Sequence, residues 1–216
     1  MRLILKHNLC HDVMSAVPYR TVTIAQQTFG DVVKDTSARL FVVPIDPPVR
    51  IQTTPVVLTT SIEDPEIPFA YIQGDTNMMT FFKQTEQDIE DVCIKNKKAW
   101  FTLAKDLDDD VLRRGYKSFF AQQGFKVKVA PDVPCFDVNK KPIGREDIPQ
   151  DSTVRMVLEM NRISFGRHEF GVAWRVVQMQ LVPVECLIND DPVDEDLVSP
   201  PRDDHDDIKS DIDDFL

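Results

Sequence analysis

The sequence predicts a β-rich α+β chain: an antiparallel barrel with two inserted helices, followed by a disordered acidic C-terminal tail. Three observations predict it. Short β-branched runs are bounded by Pro, Gly or Asp, the mark of strands joined by tight corners. One stretch, residues 77–97, switches to helical spacing. The segment from Asp190 on is too poor in apolar groups to offset chain entropy.

The elements follow in chain order. Arg20–Ile24, Arg39–Val43, Val49–Thr53 and Val56–Thr60 read as strands of a meander or small barrel. Pro44, Pro47, Pro48, Pro55, Pro65 and Pro68 are expected at corners, because proline cannot donate to a central ladder. Met78, Phe81, Phe82, Thr85, Ile89, Val92 and Cys93 then recur at three-to-four spacing, with Lys83, Glu86, Gln87 and Glu90 opposite. That is an amphipathic helix, with Asp75, Thr76 or Asn77 as its cap. A second helix is expected over Asp108–Phe119, where three aspartates favour the N-terminal dipole and Arg113, Arg114 and Lys117 follow.

The strongest strand signal comes next. Phe125, Val127 and Val129 alternate with Lys126 and Lys128, giving one apolar and one basic face. Val154, Met156, Leu158 and Met160 alternate with Arg155 and Glu159, and Val172, Trp174 and Val176 with Arg175. Ser164 to Phe170 forms the hairpin loop between the last two strands. The domain is therefore expected over residues 1–189 and the tail over 190–216.

The net charge of −11 argues at first against a polyanionic partner. Its distribution removes the objection. Residues 190–216 hold twelve acidic side chains against Arg202 and Lys209, a net of −10, so residues 1–189 are left at −1. A neutral body can still carry a basic face.

Several classes find no support. The longest apolar runs fall short of eighteen residues, so no spanning helix and no membrane partner are expected. Met1–Leu9 is too short, and with Lys6 and His7 too polar, for a secretory signal. Cys10, Cys93, Cys135 and Cys186 show no metal-ligand spacing and read as reduced thiols in an intracellular compartment. There is no phosphate-cradling Gly-rich loop and no nucleophile elbow. His7, His11, His168 and His205 lack helix-spaced partners. No cofactor, no metal and no catalytic residue is expected. Asp108–Asp110 could hold Mg²⁺ in a nuclease, but three carboxylates before a helix are the ordinary form of capping and solvated charge.

Unpaired nucleic acid asks for cations along the phosphates and aromatic faces under the bases. Two stretches interleave both. Lys97, Lys98, Trp100 and Phe101 precede Arg113, Arg114, Tyr116 and Lys117; Arg155, Arg162, Phe165, Arg167, His168, Phe170, Trp174 and Arg175 form the second group. The candidate phosphate contacts are Lys97, Lys98, Arg113, Arg114, Lys117, Lys126, Lys128, Arg155, Arg162, Arg167 and Arg175. Tyr116, Phe165 and Phe170 are the candidate base platforms, with Trp100 and Trp174 second to them. Trp100, Phe101 and Trp174 also continue apolar patterns, which is how core residues look.

The tail places Ile208, Ile212 and a terminal Phe215-Leu216 among its acids, more apolar than mere solubility requires. Such a peptide can compete for a basic groove, or dock Ile212, Phe215 and Leu216 into a partner, replication proteins among the candidates.

A family resemblance rests on Lys97-Lys98-Ala99-Trp100-Phe101, Leu107-Asp108-Asp109-Asp110, Tyr116-Lys117-Ser118, Val133-Pro134-Cys135-Phe136-Asp137 and the hairpin from Arg162 to Trp174. On these blocks residues 91–187, somewhat less than half the chain, resemble the single-stranded DNA-binding proteins of nucleocytoplasmic large DNA viruses. The resemblance implies an OB-fold barrel that coats unwound DNA in replication, recombination or repair, and a location at host-cell sites of viral DNA replication. The acidic tail resembles those of phage and bacterial single-strand binders. The alternative is a non-catalytic viral scaffold or protein-interaction module, in which the apolar helix face and the chain end serve partners.

Overall fold

The computed structural model describes residues 16–183, apart from 65, 67, 102–107, 122–123 and 168. The acidic tail with Ile212, Phe215 and Leu216, and also Cys10 and Cys186, lie outside the described residues.

The first half of the chain forms β1 (Val17–Pro18), β2 (Thr28–Phe29), β3 (Val33–Asp35), β4 (Leu40–Gln52), β5 (Val56–Leu58) and β6 (Phe69–Gln73). Helices α1 (Thr76–Lys95), α2 (Lys97–Trp100) and α3 (Asp109–Arg114) follow. Then come β7 (Phe120–Ala121), β8 (Gly124–Lys128), β9 (Cys135–Phe136), β10 (Pro142–Ile143), β11 (Thr153–Phe165), β12 (Phe170–Val172) and β13 (Trp174–Leu181).

Five strands close on themselves. Thr153 of β11 pairs with Val57 of β5, Val57 with Gln73 of β6, and Phe69 of β6 with Lys128 of β8. Arg175 of β13 lies beside Lys128, and β13 returns to β11 at Val154↔Leu181. Four seams are antiparallel and β8–β13 is parallel. Closure leaves these strands no open edge. The result is an OB-fold-like α+β barrel, extended by β4 along β11 and by smaller strands.

The interior follows the alternation of the sequence. Phe125, Val127, Val154, Met156, Leu158, Trp174 and Val176 all point into the core. Helix α1 packs on this barrel core. Its N-cap carboxylate, Asp75, accepts from the Met78 amide at 2.7 Å. Its buried stripe is Met78, Phe82, Thr85, Ile89 and Cys93. Phe82 stacks on Phe125 with centroids 3.8 Å apart and meets the edge of Trp174 at 5.7 Å. Gly124 is required where β7 turns into β8: its φ is +124°, and a Cβ there would stand 2.5 Å from the Ile72 carbonyl oxygen.

Three local expectations are corrected. Arg20–Ile24 is not a strand but lies between and within two 3₁₀ turns, Tyr19–Thr21 and Ile24–Gln26. The Thr21 hydroxyl donates to the Pro18 carbonyl at 2.8 Å, a local bond that competes with a ladder. The prolines expected at corners between Val43 and Val49 instead sit inside one strand, β4, with the Asp46–Pro47 peptide cis. Pro47 and Pro48 are tolerated because β4 bulges there. Pro44 faces Arg162 and Val49 faces Met160, so four residues of β4 stand opposite Asn161 alone and need no amide on that side. The second helix stops at Arg114, with Gly115 as its C-cap. Beyond it the chain extends to pair with β12: Lys117 donates to the Phe170 carbonyl, and Phe170 to that of Gly115.

Candidate nucleic-acid interface

The outward residues of adjacent strands form rows across the barrel wall. Arg50, Glu159, Arg175, Lys128 and Phe69 are successive register partners on β4, β11, β13, β8 and β6. In the next row towards β6, Lys126 faces Tyr71. Phe69 and Tyr71 meet edge to face at 6.0 Å. The Lys126 ammonium lies 3.9 Å from the Phe69 centroid and 6.0 Å from that of Tyr71. Two half-buried rings and a lysine thus stand side by side on an outer surface.

The wall is basic although the body is neutral. The five closing strands contain Lys126, Lys128, Arg155, Arg162 and Arg175, and their one acidic residue is Glu159. Glu159 is 3% exposed. Arg50 donates to it at 2.7 Å and Arg175 at 2.6 Å. Burial works to raise its carboxyl, but the two guanidinium bonds outweigh burial and hold it below the usual carboxylate value. Its charge is spent on positioning two arginines.

The structure separates the sequence-predicted site residues into three sets. It brings Lys126, Lys128, Arg155 and Arg175 together on the barrel wall. Lys97, Arg113, Lys117 and Arg162 each hold a carboxylate: Lys97 reaches Asp109 at 2.6 Å, Arg113 bridges Glu90 and Asp91, Lys117 meets Glu169 and Arg162 meets Asp35. These pairs tie α2 to α3, α3 to α1, and the segment after α3 to the β11–β12 hairpin. Lys98, Arg114 and Arg167 are exposed away from the wall's rows, on α2, α3 and the hairpin loop.

Three of the expected base platforms, Phe165, Phe170 and Trp174, are corrected. Trp174 is fully buried, and Phe165 and Phe170 are buried in the core. Phe101 meets Phe165 at 5.0 Å and Phe170 at 5.2 Å, while Trp100 packs between Phe29 and Phe165. Tyr116 leans on Phe170 with its hydroxyl buried, and burial pushes that hydroxyl's pKa up. Phe165, Phe170 and Trp174 thus have no face open to a base, while Trp100, Phe101 and Tyr116 are partly buried in the packing of the hairpin against the helical segment. Asp109 and Asp110 occupy the first turn of α3.

Three residues at the wall were missed by sequence reasoning: Arg50, Phe69 and Tyr71. For the two rings the sequence carries a signal. In Phe69-Ala70-Tyr71-Ile72-Gln73 the small and apolar residues alternate with rings, and Ala70 and Ile72 are the buried ones.

A model of the family of unknown function DUF5871 matches residues 63–197. The chain belongs to that family. No curated protein sequence gives a significant match. Two solved structures are similar in outline. The single-stranded DNA-binding protein from bacteriophage Enc34 in a C-terminally truncated form has 10% identity and a TM-score of 0.43, covering 74% of this chain and 97% of that one. The same bacteriophage protein in a second structure has 10% identity and a TM-score of 0.42, covering 78% and 97%. At that distance the interface rests on this chain's own residues.

Proposed function

We propose that this protein binds single-stranded DNA along the outer wall of its barrel, with broad sequence tolerance and without catalysis. The observation that carries the reading is the charge of that wall: Lys126, Lys128, Arg155 and Arg175 share it with one acid, Glu159, which Arg50 and Arg175 already occupy. Lys126, Lys128 and Arg175 track the phosphates, Arg155 adds a cation farther along the same face of β11, and Phe69 and Tyr71 supply the stacking faces. An exposed cation–π contact is worth about 0.5–1 kcal/mol and a stacked base about 1–3 kcal/mol. A base can therefore displace the Lys126 ammonium from Phe69 and leave it free for a phosphate.

The wider reading follows from the same site. The protein coats unwound DNA during replication, recombination or repair, inside the cell. Kinship with the single-strand binders of nucleocytoplasmic large DNA viruses belongs to this proposal. The tail, with its net charge of −10, competes for the basic wall or docks a replication partner.

Titration of labelled oligo-dT at several salt concentrations tests the function. Affinity falls steeply with salt, because phosphate contacts release counterions. Absence of binding at low salt, or salt-independent binding, overturns the reading. Removing residues 190–216 strengthens binding if the tail competes for the wall; unchanged affinity removes that role.

A further inference from the structure

A cleft of about 460 Å³ opens on the same wall beyond the Arg175 row, with Gln52, Phe136, Lys140, Arg155, Gln178 and Gln180 in its lining. Its volume is that of a small-molecule site. Strand register builds it. Phe136, Gln180 and Arg155 are successive partners across β9, β13 and β11, and Gln178, Val157 and Gln52 across β13, β11 and β4. Lys140 is carried by the β9–β10 turn, where Asp137 accepts from the Asn139 and Lys141 amides at 2.8 Å each.

The lining chemistry is selective. Three amides, a guanidinium and an ammonium supply N–H donors, and none of the lining residues is acidic. A metal cation finds no anionic ligand here, and an apolar ligand would strand the donors. What fits is a flat, acceptor-rich, anionic group: a ring for Phe136, a phosphate for Lys140, and a base edge for the glutamines and Arg155. Glutamine matches adenine at N6 and N7, and arginine matches guanine at O6 and N7. The acceptor shared by both bases is N7, which pyrimidines lack.

We propose that this cleft seats one purine nucleotide of the bound strand and reads its N7 edge. The proposal rests on the single-stranded DNA reading and adds one selective subsite to an otherwise tolerant wall. The test compares oligo-dT with the same oligomer carrying one central dA or dG, and with the 7-deaza analogue of each. The strand can slide to seat its one purine. Either purine binds about tenfold more tightly than thymine at that position, and the 7-deaza analogues lose the gain. Gln178→Ala combined with Arg155→Ala brings the purine-to-thymine ratio towards one. The 7-deaza arms use the unaltered protein, so they do not depend on a variant folding. Equal affinity for all five oligomers overturns the purine site and leaves the tolerant interface standing. Failure to bind any of them overturns both.

Discussion

Two regions of the molecule combine aromatic and basic residues, and they use them in opposite ways. Around the β11–β12 hairpin, Phe165 and Phe170 are buried, and the partly buried Phe101 and Tyr116 pack edge to face against them. The nearby cations Lys117 and Arg162 are paired with Glu169 and Asp35. On the β6–β8 wall, Phe69 and Tyr71 stand on the outer face, and their cation sits on a ring rather than on a carboxylate. Composition is the same in both places. Strand parity decides which one is core and which one is surface.

The largest way to break this comparison is at the hairpin. Phe170→Ala opens a cavity among Phe101, Tyr116 and Phe165, and should cost about 3–5 kcal/mol of stability by chemical denaturation. DNA affinity of the folded fraction should stay unchanged. A variant that keeps its stability and loses DNA binding would mean that Phe170 is a platform after all. The wall should behave in reverse. Phe69→Ala and Tyr71→Ala should each weaken oligo-dT binding by about 1–3 kcal/mol, the worth of one stacked base. Each should cost only about 1 kcal/mol in stability, since these rings are half exposed and give up mainly their mutual contact. Fluorescence anisotropy and denaturation on the same samples separate the two profiles.

The same parity rule sets what was legible in the sequence. Strong alternation gave β8, β11 and β13, and the three-to-four stripe gave α1 with Asp75 as its cap, because local period and burial agree in those elements. β4 was cut in two because its prolines look like corners, and nothing local reveals that a bulge against Asn161 relieves Pro47 and Pro48. The aromatic–basic stretches are visible in the sequence, but which of their rings face outward is not. Phe165 and Phe170 flank a loop, yet they are opposite partners in the hairpin register and face inward together. Arg50 could not be found locally at all. Its meaning depends on Glu159, 109 residues away in sequence and adjacent only after β4 pairs with β11.

A smaller effect sharpens the electrostatic half of the comparison. Lys126→Ala and Lys128→Ala should each make the salt dependence of oligo-dT binding shallower, by about 0.7 in the log–log slope for each phosphate no longer neutralised. Lys117→Ala should leave the slope unchanged, since Lys117 is already held by Glu169 near the hairpin. Equal slopes for the three variants would show that the wall has no special place in binding.

The smallest expected effect concerns Glu159, the acid in the middle of the basic wall. Its carboxyl is held below the ordinary value of 4.5, so it contributes stability at pH values above that point and loses it as pH falls through the lowered value. Glu159→Gln should therefore flatten part of the acid limb of the stability curve below about pH 4.5. The portion due to Asp35 remains, because the Ser37 hydroxyl, the Ala38 amide and Arg162 draw that carboxyl down to about 2. At neutral pH the substitution should cost only about 1 kcal/mol, because Arg50 and Arg175 are partly solvated and screened. It should also release one positive charge on the wall. Oligo-dT binding should tighten at low salt and converge with the unaltered protein at high salt, where exposed charges are screened. The core cluster predicts no such gain from any of its residues. A Glu159→Gln protein that is less stable at neutral pH, loses that deficit in acid, but binds DNA no more tightly would place the strand elsewhere than across Arg50 and Arg175.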